Sequence, residues 1–131
     1  MDSYNNRSPR GESDLTALIL KQLGVFDSQR LTELSGEALA AISVGSCFVA
    51  PSRKVGGYRY EVRYPNGFAA SIIKHYGSYG GEADLWEVAV MSQNEEGEWR
   101  LCYTTEITDD VLGFLTESDV VAVCDRIRAL N

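Results

Sequence analysis

Residues 58 to 64 read YRYEVRY, and no other stretch constrains the fold so tightly. Tyr58, Tyr60, Val62 and Tyr64 alternate with Arg59, Glu61 and Arg63. A helix cannot use that period, because its side chains return to one face only after about 3.6 residues. The pattern fits a strand with one buried face. PNG at 65 to 67 is a short turn and FAASIIKHY from 68 to 76 resumes in extended form, so the two runs predict a β-hairpin. LWEVAVMSQ (85 to 93), the acidic turn NEEGE (94 to 98) and WRLCYTTEI (99 to 107) predict a second hairpin of similar length. Trp99, Leu101 and Tyr103 share one side of its last strand and are expected to face the core. SCFVA at 46 to 50 offers a short further strand before the turn-rich PSRKVGG.

Such a sheet needs something to cover its apolar face, and the flanking segments supply it. SDLTALILKQLG carries a Ser or Asp cap, then Leu15, Leu18, Ile19 and Leu23 at helical spacing, and Gly24 to end the run, which predicts a helix over 14 to 23. DSQRLTELSGEALAAIS places Leu31, Leu34, Ala38, Ala41 and Ile42 on one side, with a weak point at Ser35 and Gly36. Near the end, Thr116 and Asp119 have the spacing of a capping box, and Val120, Val123, Cys124, Ile127 and Leu130 form one stripe. The expected fold class is α+β: an N-terminal helical hairpin, a four-stranded antiparallel β-meander, and a C-terminal helix packed on the sheet. Polar residues 1 to 12 read as a flexible tail, and 13 to 131 as one domain with a helical part (13 to 45) and a sheet-plus-helix part (58 to 131).

With 131 residues, a single domain buries roughly two thirds of the surface its unfolded chain exposes. No apolar run reaches the roughly 18 to 20 residues a bilayer span needs, and the N-terminus lacks the hydrophobic stretch of a secretion signal. A cytoplasmic protein with no membrane attachment is expected. Cys47, Cys102 and Cys124 lie far apart in apolar segments, and their odd number suits reduced core thiols. A zinc site needs clustered ligands, and the sequence has one histidine and no C-x-x-C, so no metal and no cofactor is expected.

The net charge of −7 hides a separation along the chain. Between 51 and 76, Arg53, Lys54, Arg59, Arg63 and Lys74 face only Glu61, a net +4, whereas 77 to 119 hold eleven acids against Arg100, a net −10. Cross-strand pairing accounts for part of this layout. An acidic sheet surface that steers basic partners and repels nucleic acid is the sharper expectation.

Between the hairpins, IIKHYGSYGGEAD surrounds His75 with Tyr76, Tyr79 and three glycines. A histidine near Glu82 and Asp84 suggests a general base, but no G-x-S-x-G elbow, paired nucleophile or second ligand accompanies it. GSYGG has no following lysine and leads into a strand, so it does not read as a phosphate loop. Recognition or packing is left: Lys74, His75, Tyr76, Tyr79, Glu82, Asp84 and Trp86, with Glu95, Glu96 and Glu98 of the acidic turn, form the candidate contact residues for a partner protein.

The run YPNGFAASIIKHYGSYGGEADLWEVAVM, followed by LCYTTEITDDVLGFLTESDVVAVCDRI, resembles a family of small bacteriophage proteins. The likeness covers about 58 to 130 and brings no catalytic residues. It implies a short acidic protein that binds host or phage proteins, with inhibition of a bacterial defence component such as a CRISPR-Cas protein as the specific expectation. The reading is thus a non-enzymatic interaction module. Its alternatives are a nucleic-acid-binding protein using the basic hairpin 53 to 74 and a small enzyme centred on His75.

Overall fold

The computed structural model describes residues 7–35, 40–54 and 57–131. In chain order they form α1 (Arg7–Gln22), α2 (Ser28–Ser35), β1 (Ile42–Val44), β2 (Cys47–Lys54), β3 (Gly57–Arg63), β4 (Phe68–Lys74), a 3-10 turn (Gly81–Ala83), β5 (Trp86–Gln93), β6 (Trp99–Leu101), β7 (Leu112–Leu115) and α3 (Glu117–Arg128). The fold is α+β with an antiparallel sheet. Its seven strands exceed the expected four-stranded meander. The order is β1-β2-β3-β4-β5-β6, and β7 shares the far side of β5 with β6.

The additions have local causes. Ile42, expected at the end of the second helix, instead opens β1 and pairs with Val49. Gly45 and Ser46 make a two-residue hairpin between Val44 and Cys47, with Gly45 at φ 61°. That positive φ suits the reversal a tight hairpin demands. Residues 36–39, where the second helix was expected to continue, lie outside the described residues. At the other end, α1 begins at Arg7, inside the stretch that composition assigns to a tail.

The expected hairpin at PNG is present: Tyr58 pairs with Lys74 and Arg63 with Ala69. Alternation sends Tyr60, Val62, Tyr64, Ala70, Ile72, Trp86, Val88 and Val90 into one buried cluster with Leu15, Ile19 and Leu23 of the N-terminal segment and Val120, Val123, Cys124 and Ile127 of α3. Within that cluster Thr16 Oγ1 and the Tyr60 hydroxyl are 2.7 Å apart, so both buried hydroxyls are satisfied. The Tyr60 and Trp86 rings lie tilted with centroids 6.0 Å apart. Both ends of α3 are pinned. Thr116 Oγ1 accepts the Asp119 N–H at 3.2 Å and Asp119 Oδ2 accepts the Thr116 N–H at 3.0 Å. From the β3–β4 turn, Asn66 Nδ2 donates to the carbonyls of Ile127, Arg128 and Leu130 at 2.9, 3.0 and 3.0 Å.

Among the described residues, α1 and α3 supply the helical part of the core cluster on one face of the sheet, and the composition of the other face differs from the acidic surface expected. Glu61 there is 7% exposed, and its two carboxylate oxygens accept Arg59 Nη2 at 3.1 Å and Arg63 Nε at 2.6 Å. Two charged donors leave the buried carboxylate neither unpaired nor unsatisfied. Arg63 also lies 5.3 Å from the Phe48 ring centroid and 5.2 Å from that of Trp99. Met91 pairs with Leu101 and Gln93 with Trp99, so Trp99 and Leu101 project from this face and away from the core they were expected to join. Leu101 is 50% and Tyr103 45% exposed. The acids stand in turns and links instead: Glu95, Glu96 and Glu98 in the β5–β6 turn, and Glu106, Asp109 and Asp110 between β6 and β7.

Candidate functional site: a glycine-packed aromatic end of the sheet

The β4–β5 connection is tied into place by its own polar groups. His75 N–H donates to Ser78 Oγ at 3.0 Å, Ser78 Oγ donates back to the His75 carbonyl at 2.8 Å, and His75 Nδ1 accepts the Gly77 N–H at 3.2 Å. The ring nitrogen thus closes a turn. Lys74, expected as a contact, instead joins this scaffold: its Nζ lies 2.8 Å from Asp84 Oδ1 and 4.6 Å from the Trp86 ring centroid. Trp86 itself is 1% exposed and belongs to the core, so it offers nothing to a partner. Glu82 is exposed on the 3-10 turn.

Two side chains of this connection do face outward. Tyr76 is 76% and Tyr79 61% exposed. Tyr79 is anchored by its backbone: its N–H donates to Glu87 Oε1 at 2.8 Å, and its carbonyl accepts the Phe114 N–H at 3.1 Å. The approach of β7 to this loop requires glycine on both sides. A Cβ on Gly80 would sit 2.8 Å from Phe114 Cα, and a Cβ on Gly113 would sit 2.5 Å from Tyr79 Cβ. Neither distance accommodates a methyl group.

The contact brings in a residue that the sequence reading did not single out. Phe114 is 63% exposed and has φ 56°. A bulky side chain in the left-handed region costs about 1 to 3 kcal/mol and persists only where surrounding structure imposes it. Its signal in the sequence is faint, a Gly-Phe-Leu triplet between two aspartates and the last helix. Leu101 and Tyr103, also exposed, belong to β6 and the link after it, which flanks the same side of β5 as β7 but nearer its other end.

The acidic turn is shaped as firmly as the loop. Asn94 Oδ1 accepts the N–H groups of Glu96 at 3.0 Å and Glu98 at 2.8 Å. Glu98 Oε1 accepts Asn94 Nδ2 and Arg100 Nη2, both at 2.9 Å, and these two donors hold its carboxyl below the usual range. Glu95 and Glu96 are exposed.

The structure separates the three thiols. Cys47 and Cys124 are buried as expected, and burial raises both, Cys124 to about 12. Cys102 is only half-buried and stands in an open cleft of about 470 Å³ with Phe68, Ser92, Thr104 and Leu130. Burial pushes its thiol up, but hydrogen bonds to the Thr104 side chain and backbone and to Ser92 outweigh it and leave Cys102 below its ordinary value.

The chain matches no family model, no curated protein and no solved structure. No residue role therefore enters the site from a relative, and its chemistry rests on its own geometry. Among the described residues no cluster of three or more His, Cys, Asp or Glu is arranged to hold a metal ion, and no helix is long and apolar enough to cross a membrane.

Proposed function

We propose that this chain is a non-enzymatic protein-interaction module that docks through the aromatic end of its sheet, with Tyr76, Tyr79 and Phe114 as anchors. The observation that carries the reading is Phe114: a large apolar side chain 63% exposed and held at φ 56°. Backbone strain and apolar exposure both cost free energy, and their coincidence on one residue fits a surface kept for a partner. Tyr79 beside it is anchored through its backbone, so this part of the patch is ordered before binding and little loop entropy is lost on contact. Arg59 and Arg63 of the basic hairpin are already engaged by Glu61, which favours a protein partner over a nucleic acid. In the context implied by the phage-like motifs, the partner is a bacterial host protein, with a defence component such as a CRISPR-Cas protein as the specific form.

The test combines capture with stability. Tyr76→Ala with Tyr79→Ala is expected to leave the melting transition in place and to abolish capture of a host protein from bacterial lysate. Phe114→Gly relieves the left-handed strain and is expected to raise stability by about 1 kcal/mol while weakening the same capture. Undiminished capture by both variants would discard the reading.

A further inference from the structure

The aromatic end is not the only feature on this side of the molecule. β6 is the last strand of the sheet order, and no strand of the described residues pairs with its outer edge. Its register shows which groups are turned outward. Cys102 N–H bonds to the Val90 carbonyl at 2.8 Å and Asn94 N–H to the Glu98 carbonyl at 2.9 Å, so the residues that face β5 are Glu98, Arg100 and Cys102. Antiparallel pairing alternates, and the N–H and C=O groups of Trp99 and Leu101 therefore point away from β5. Such an edge is a template for another extended segment.

The side chains define what that segment must carry. Trp99, half-buried, and Leu101, 50% exposed, project on the face away from the core cluster, whereas Glu98 and Arg100 project on the opposite side, where they pair at 2.9 Å. The chain that leaves either end of β6 is acidic: Glu95, Glu96 and Glu98 before it and Glu106, Asp109 and Asp110 after it, with Arg100 as the one basic residue from 94 to 110. A second copy would bring the same acids against these, which like-charge repulsion disfavours.

We infer that the outer edge of β6 takes up an extended segment of a partner protein in which apolar and basic residues alternate, adding it to the sheet as a further strand. Apolar side chains of the segment lie beside Trp99 and Leu101, and its lysines or arginines lie on the side of Glu98. The inference rests on the reading of the chain as a protein-interaction module and gives the chemistry of what it binds.

The probe is a capped octapeptide of alternating valine and lysine, added to the full chain at low salt and followed by amide hydrogen exchange. The Trp99 and Leu101 amides are expected to exchange at least about tenfold more slowly at saturation, and the same peptide N-methylated at every amide to bind at least about tenfold more weakly. Equal binding of the two peptides would reduce the interaction to charge alone and overturn the inference. So would unchanged exchange at Trp99 and Leu101, or protection confined to Ser43 on the opposite edge strand. Protection that grows with protein concentration without peptide would assign the edge to a second copy and also overturn it. A chain that ignores the peptide yet still captures host protein through Tyr76 and Tyr79 loses this inference alone, whereas loss of that capture phenotype removes the module reading itself.

Discussion

Gly113 and Phe114 show how a single position without a side chain governs one with a large one. The β7 backbone reaches Tyr79 only because Gly113 has no Cβ, and that contact fixes Phe114 in the left-handed region. Gly113→Ala places a methyl group 2.5 Å from Tyr79 Cβ, which forces the loop and β7 apart. A loss of about 1 to 3 kcal/mol in urea denaturation is expected, the cost of overpacking a close contact. The same change should speed amide exchange at Phe114, whose N–H bonds to the Tyr79 carbonyl. None of this was legible in the sequence, where Gly113 and Phe114 occupy a link with no periodicity. Tyr76 and Tyr79 were legible, because glycines around aromatic residues signal a shaped loop whatever it touches. Lys74 and Trp86 looked equally available, but one is tied to Asp84 and the other is enclosed.

Among elements, α3 and the β3–β4 hairpin could be read from the sequence and the β1–β2 hairpin could not. The apolar stripe repeats at three and four residues over the eleven positions from Val120 to Leu130, and its cap lies within four residues of its start. Those signals are local. β1 has only three residues, too few to show a period, and it follows apolar alanines that prolong the apparent helix. The C-terminal end of α3 depends on a residue more than sixty positions away: Asn66 donates to its last two carbonyls, those of Ile127 and Arg128, and to that of Leu130 just beyond it. Asn66→Ala is expected to cost about 1 to 2 kcal/mol in chemical denaturation, since helix-end carbonyls lose their donor. Faster exchange confined to the last turn of α3 would accompany it, and unchanged stability would show that water replaces the amide in full.

Across the whole molecule, burial of acidic hydrogens gives the fold an alkaline limit. Cys124 is raised from 9.0 to about 12 and Tyr64 is raised by burial as well. As pH climbs above the ordinary values, the unfolded chain releases these protons and the folded chain keeps them, so stability is complete below about pH 8 and falls above it. Cys124 alone makes stability fall steadily with pH between its ordinary value and its raised one. Cys102, held low, titrates earlier and opposes the slope only below its ordinary value. Urea midpoints measured from pH 8 to 10.5 should decline, and Cys124→Ala should flatten the decline; a wild-type midpoint constant over that range would contradict the assignment. The sequence by itself determined the alternation of β3, the hairpin at Pro65 to Gly67 and the apolar stripe of α3, because those patterns act between residues a few positions apart. Only the tertiary structure decided that Trp99 and Leu101 leave the core, that β6 and β7 share one side of β5, and that Phe114 faces outward at φ 56°. Each of those follows from pairing between distant segments, and a strand's period of two states that it has two faces without stating which one the helices will cover.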